Sequence, residues 1–238
     1  MDLIDDVLSS IEEEPAADIR VGLKYTAVQI RDRVGLAYTF PDFGSPPKNV
    51  GNLIGTNTVS LAKSWNLTEA SIGVASINAL LEPRNYKVMN ISDHILAIAK
   101  SYDKIGIVGR FPFIDSLGKD AFVFERRPMP GALPDTAAET LLPKCDLVII
   151  SGSAFVNKTL QRLLEISNGY TFVIGPTTPL TPLLFEYGAD VIAGAIVHDA
   201  EKALEIVSQG GGTRNLKGAV EFVCMGPTGC KSNKEVFT

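Results

Sequence analysis

The chain has 238 residues, of which 45% are hydrophobic and 21% charged, and a formal net charge of −5. This is the make-up of a globular protein long enough for one large domain or two small ones, and its acidic balance argues against nucleic acid or an anionic membrane surface as partners, because both reward a basic face. No apolar run approaches the ~18 residues of a spanning helix, the acidic start (Asp2, Asp5, Asp6, Glu12, Glu13, Glu14) is unlike a secretory signal, and three cysteines are too few for a disulfide scaffold, so the expectation is a cytoplasmic protein.

Residues 1–14 place Leu3, Ile4, Val7, Leu8 and Ile11 at three- and four-residue steps, the signature of an amphipathic helix, and Pro15 follows it. Asp18 to Arg31 reads as a strand with a phase change before Val28 and Ile30. Val34 to Phe40 reads as a second, and the polar link Arg31-Asp32-Arg33 predicts an antiparallel hairpin. Pro41 to Asn57, with three prolines and three glycines, is a long loop of the kind that often has a function. Helices are predicted over Thr58–Trp65 and Thr68–Leu81, the second capped by Thr68 and stopped by Pro83.

From Ser92, read as a helix cap, strand and helix alternate. Strands are expected at 104–109, 121–125, 146–151, 170–174 and 190–195, with clear helices at 156–167 and 199–208. Such a rhythm predicts βαβ units and a parallel sheet. The fold class expected is α/β: a small α+β domain (residues 1–90), then a parallel-sheet domain (91–238) ending in a flexible tail.

A parallel sheet brings the carboxyl ends of its strands to one rim, where ligands bind. Here those ends carry Gly109-Arg110, Glu125, Ser151-Gly152-Ser153, Gly175-Pro176-Thr177-Thr178 and Gly194-Ala195. Glycine admits close approach of a ligand or positive φ. Arg110 suits a phosphate or carboxylate, or an ion pair with Glu125. Glu125 ends the second strand, where dinucleotide-binding folds hold a ribose, or it pairs with Arg110, Arg126 or Arg127. Phe111 and Pro112 after Gly109 disfavour a pyrophosphate, and Ser151-Gly152-Ser153 lacks a nucleophile elbow. Asn78, polar within an apolar stretch, and Glu82 are placed to reach the rim from the first domain. The expected ligand-binding set is therefore Asn78, Glu82, Arg110, Glu125, Ser151, Gly152, Thr177 and Thr178, around a small-molecule or metal-chelate ligand. His94 and His198 form no metal-spaced pair, and Cys224 and Cys230 flank a turn as two thiols of a tail. A homo-oligomer is the base-rate expectation.

The runs Ala75-Ser76-Ile77-Asn78-Ala79-Leu80-Leu81, Ile107-Val108-Gly109-Arg110-Phe111, Ser151-Gly152-Ser153 and Gly175-Pro176-Thr177-Thr178-Pro179 resemble the domain family described as putative heavy-metal chelation. The resemblance covers nearly the whole chain apart from the first helix and the cysteine-bearing tail. It implies a first domain similar to the N-terminal domain of enolase, a Rossmann-like second domain and an active site between them. It also implies a role in heavy-metal chelation, or in making or handling a metal-binding cofactor, with a heavy-metal ion as the associated group and a link to cobalamin biosynthesis. Fold likeness to enolase does not carry enolase activity. Two other classes stay open: a nucleotide- or S-adenosylmethionine-dependent transferase, and a non-catalytic metal sensor.

Overall fold

The computed structural model of the chain describes residues 2–42 and 44–226. Its first half is α1 (Leu3–Ser9), β1 (Asp18–Val21), β2 (Tyr25–Ile30), β3 (Arg33–Tyr38) and α2 (Leu67–Leu80), with a 3-10 turn at Val59–Lys63. The second half runs β4 (Lys87–Val88), α3 (Ile91–Ile98), β5 (Ile105–Val108), β6 (Ala121–Glu125), β7 (Leu133–Pro134), α4 (Ala138–Leu141), β8 (Leu147–Ser151), α5 (Ser153–Val156), α6 (Leu160–Ile166), β9 (Tyr170–Ile174), α7 (Leu183–Glu186), β10 (Val191–Val197), α8 (Ala200–Ser208), α9 (Thr213–Leu216) and β11 (Val220–Met225).

Several sequence expectations need correction. The hairpin is a three-stranded antiparallel sheet in the order β1-β2-β3. Its first predicted strand breaks at Gly22, where a methyl group would fall 2.2 Å from the Val207 carbonyl oxygen. The predicted helix at 58–65 is the 3-10 turn. Asn66 rather than Thr68 caps α2, and Asn90 rather than Ser92 caps α3. The helix expected over 156–167 is shorter, α6 alone; α5 ends at Val156, and Lys158, whose φ is +66°, lies between the two.

The large sheet has eight strands in the order β4-β11-β10-β9-β8-β5-β6-β7. Strands β5 to β10 are mutually parallel, while β11 runs antiparallel to β10 and to β4. Counted along the chain, the six parallel strands lie 3-2-1-4-5-6, the order of doubly wound nucleotide-binding sheets, and the order reverses between β5 and β8. The expected five parallel strands are all present. Strands β4, β7 and β11 are additional.

Helix α2 joins the two halves. It is buried nearly all round, from Leu67 to Ala79, and its surface is made of Ala70, Ser71, Gly73, Ala75, Ser76 and Ala79 among β-branched residues. Small residues let backbone meet backbone. A methyl group on Gly35 of β3 would lie 2.0 Å from the Ala75 oxygen and 2.3 Å from the Ala79 nitrogen, and one on Gly73 would lie 1.9 Å from the Ala62 nitrogen. Its buried hydroxyls are paired: Ser76 Oγ with Thr58 Oγ1 at 2.6 Å and with the Ile72 carbonyl at 2.8 Å, and Ser71 Oγ with the Tyr38 carbonyl at 2.7 Å. One face of the small sheet (Val28, Ile30, Ala37) shares a core cluster with α2 and with the large sheet's Val148, Ile150 and Val173. Its other face (Tyr25, Ala27, Val34, Leu36) packs on Ala203 and Val207 of α8 and Leu216 of α9.

Replacing a mid-helix glycine by alanine ordinarily stabilises by about 1 kcal/mol. At Gly73 the contact with Ala62 reverses the sign. Gly73→Ala is expected to lower stability by about 2 kcal/mol, an overpacking cost, read from urea unfolding midpoints of the two proteins.

Candidate functional site

The ends of β5, β6, β8 and β9 form one continuous rim. Each ladder continues a residue past its strand: the N–H of Gly109 donates to Phe124 O at 3.0 Å, that of Gly152 to Ile174 O at 2.8 Å, and that of Gly175 to Ala193 O at 3.0 Å. Gly109 has φ +100°, and a methyl group there would lie 2.9 Å from Ser151 Cβ. This is the reversal point of the sheet, where the two chains diverge and leave a crevice. Ser151 and Ser153 share a hydroxyl hydrogen bond of 2.8 Å. Gly152 is required by the turn that follows β9, since a methyl group would fall 2.4 Å from Thr178 Oγ1. Gly194, expected at a strand end, instead lies inside β10, which runs on to Val197.

The same turn meets the first half of the chain. Thr177 Oγ1 accepts from the Tyr38 N–H at 2.9 Å. The Asn78 Nδ2 group donates to the Leu36 carbonyl at 2.8 Å and to the Thr177 carbonyl at 3.1 Å. Both partners are acceptors only, which fixes the amide orientation. Asn78 Oδ1 is therefore turned away from them. It and Thr178 Oγ1 are buried with no hydrogen-bond partner in the protein. Both residues line a small cavity of about 40 Å³, together with Arg33, Leu180 and Ile196. Buried polar atoms are nearly always paired, and leaving one unpaired costs about 1–3 kcal/mol, so two on the lining residues of one cavity single out this place, whose volume suits a water-sized polar group.

Glu82 does not join them. Its side chain is 71% exposed and pairs with Arg33 at 3.3 Å. The Arg33 guanidinium also donates to the Leu80 and Leu81 carbonyls, closing the end of α2. Sequence reading overlooked Arg33 because only the packing of β3 on α2 brings it to this helix end.

Arg110 and Glu125 lie at the other end of the rim, where β6 stops. Three strand spacings separate β6 from β9, roughly 14 Å, so the expected residues form two groups, with Gly109, Ser151 and Gly152 between them. Arg110 is exposed, with Nη1 3.7 Å from Met129 Sδ. Burial pushes the Glu125 carboxyl above its ordinary value, while the Arg126 backbone N–H and the charges of Arg110 and Arg127 hold it down. The neighbouring arginines are otherwise committed: Arg126 to Asp135 at 3.0 Å and Arg127 to Asp42 of the long loop. That loop is also tied to the start of α2, where Glu69 accepts from the Lys48 N–H at 3.0 Å and from Ser64 Oγ at 2.6 Å.

Among the described residues no three histidines, cysteines or carboxylates stand together as metal ligands. His94 is buried with its ring 6.1 Å from that of Phe172, and His198 is exposed. Cys145 is buried, as expected of a core residue. Cys224 belongs to β11 and is buried there rather than sitting in a tail, while Cys230 lies outside the described residues. The glycine run 210–212 lies against Leu23 and Ile206.

Two family models match the chain, both described as "Putative heavy-metal chelation", one over residues 4–81 and the other over 91–225. An uncharacterised protein of Methanocaldococcus jannaschii is 33% identical over 174 residues, 68% of this chain and 67% of that protein. The crystal structure of a protein of unknown function from the DUF364 family of Desulfitobacterium hafniense DCB-2 superposes with a TM-score of 0.80 at 32% identity, covering 94% of this chain and 96% of that one. One from Pyrococcus horikoshii does so with a TM-score of 0.77 at 24% identity, covering 94% and 98%; at that identity the likeness is one of fold.

Because burial raises the Glu125 pKa, its contribution to stability is fully present below the ordinary carboxyl value of 4.5 and is lost as pH rises through the folded value. Glu125→Gln is thus expected to melt higher than the parent at pH 7–8, with the gap closing below about pH 4.5. Thermal melts of both proteins from pH 4 to 8 check the sign.

Proposed function

From the premise that the chain belongs to the family described as putative heavy-metal chelation, we propose that it handles the metal inside an organic chelator, bound where the rim of the parallel sheet meets β3 and α2. The observation that carries this reading is the pair of buried, unpartnered oxygens, Asn78 Oδ1 and Thr178 Oγ1, on two residues that line one small cavity between the halves. The donor set supports it. Soft heavy metals prefer thiolate and imidazole, whereas the rim offers hydroxyls, an amide, backbone N–H groups, one guanidinium and one carboxylate. These are groups for orienting an organic molecule. In this reading Asn78 Oδ1 accepts from the ligand, Thr178 and Ser151 orient it, Gly109 and Gly152 let those two side chains sit close on the rim, and Arg110 holds an anionic arm.

A second reading has one observation in its favour. The strand order 3-2-1-4-5-6, with Glu125 ending the second strand, is the arrangement that holds a ribose diol. The segment after β5 runs through Phe111 and Pro112 into a 3-10 turn at Ile114–Ser116, which supplies no helix N-terminus for a pyrophosphate. This reading therefore takes an adenosine compound without one, used by a transferase.

Thermal-shift measurements with divalent metal salts alone, polycarboxylate chelators alone, preformed chelates and adenosine compounds separate the readings. A ligand at a hundred times its Kd stabilises by about 2.7 kcal/mol. The first reading expects that shift from chelator or chelate, with Arg110→Ala weakening binding about tenfold, and it fails if free metal gives the whole effect. The second expects stabilisation by adenosine compounds without metal, abolished in Glu125→Ala.

A further inference from the structure

Away from the rim, a groove of about 710 Å³ opens between the start of α1, the 3-10 turn at Val59–Lys63 and α6. None of the eight rim residues named above lines it. Its volume is that of a small-ligand site, and buried Leu3, Phe155 and Leu160 form its apolar floor. Trp65, the chain's sole tryptophan, stands beside it 82% exposed. Unlike the other exposed apolar side chains, such as Leu23 and Ile54, it lines the groove together with a half-buried charge.

The charges lining this groove are unequal in status. Lys63 is paired with Asp5 at 2.6 Å, and Arg162 with Glu139 at 2.8 Å and Glu165 at 3.4 Å. Asp2 caps α1 through the Ile4 N–H. Gln161 accepts from the Leu3 N–H and donates to Glu165. Lys158 differs. Its Nζ donates to the carbonyls of Ser64 and Val156 and sits 5.8 Å from the Trp65 ring centroid, and no carboxylate faces it among the described residues. An ammonium has three hydrogens to donate, and the two carbonyls use two. The charge is thus half-buried beside an aromatic ring without a counter-ion, and burial alone lowers its pKa to about 8. Its backbone has φ +66°, a left-handed conformation that non-glycine residues rarely adopt.

We propose that this groove is a second binding site, for a planar aromatic carboxylate whose carboxylate pairs with Lys158 and whose ring lies on the exposed Trp65 indole. The missing counter-charge gives the ligand its anionic end, and the uncovered indole next to it gives the flat apolar body. An aliphatic acid would satisfy the lysine and leave the indole in water. A neutral aromatic would do the reverse.

The test is calorimetric titration at pH 7 with 2-naphthoate and its neutral isostere 2-naphthamide, with Trp65 emission followed in parallel. Saturable naphthoate binding is expected, with a change in tryptophan emission at the same midpoint and at least tenfold weaker binding of the amide. Lys158→Met is expected to lose at least tenfold in affinity, Lys158→Arg to stay within about threefold, and Trp65→Ala, at an exposed position that folding does not need, to lose at least tenfold. Naphthoate affinity should fall as pH rises through about 8, when the ammonium loses its proton. The proposal is overturned by no saturable binding, by equal affinity for acid and amide, by binding that leaves the tryptophan emission unmoved, or by undiminished affinity in Trp65→Ala.

Discussion

Helix α2 meets its neighbours by backbone rather than by side chains, and the rest of the molecule is arranged around that contact. Gly35 lets β3 lie on the Ala75 and Ala79 backbone, and Gly73 lets the helix seat on Ala62. An amphipathic surface helix would bury one stripe and leave the rest wet. This one is enclosed by the small sheet, the 3-10 turn and the α5 side of the large sheet, so its polar residues have to be paired internally. Ser71 and Ser76 do this within the helix and with Tyr38 and Thr58. Asn78 does it across the seam between the two halves.

That requirement accounts for where the two halves are clamped together. The Asn78 amide spans from β3 to the turn after β9, and its two donors fix how the halves meet. The same geometry leaves its oxygen buried without a protein donor. One end of this side chain is thus a structural clamp and the other is unpaired. The glycines at 109 and 152 follow from neighbouring constraints: the first accommodates Ser151 and the second Thr178. Substituting either would move the rim before touching any ligand.

The parallel strands were legible because strands covered on both faces are continuous apolar runs, as in Leu147-Val148-Ile149-Ile150. The additional strands were not. Two of them have two residues each, one of these containing Pro134, and the third, Val220–Met225, runs antiparallel and so falls outside the βαβ rhythm that located the others. Helix caps were misread by two residues at Asn66 and Asn90, where several capping residues stand together. Asn78 drew notice as an amide among apolar neighbours, but its partners lie 42 and 99 residues away, beyond any local pattern. Glu82 shows the opposite failure. Nothing in a helix end says which way the next side chain turns, and here Arg33 draws it outward. Lys158 was hidden by helical periodicity that continues on both sides of it.

The small sheet is covered on one face by α2, which is synthesised soon after it, but on the other by α8 and α9. About 160 residues separate Tyr38 from Ala200, so at ribosomal rates of 5–20 residues per second the apolar side bearing Tyr25, Ala27, Val34 and Leu36 waits roughly 8 to 30 seconds for its cover. During translation that surface is a natural client for a holding chaperone, and a nascent chain released before α8 emerges would carry half of its first sheet bare.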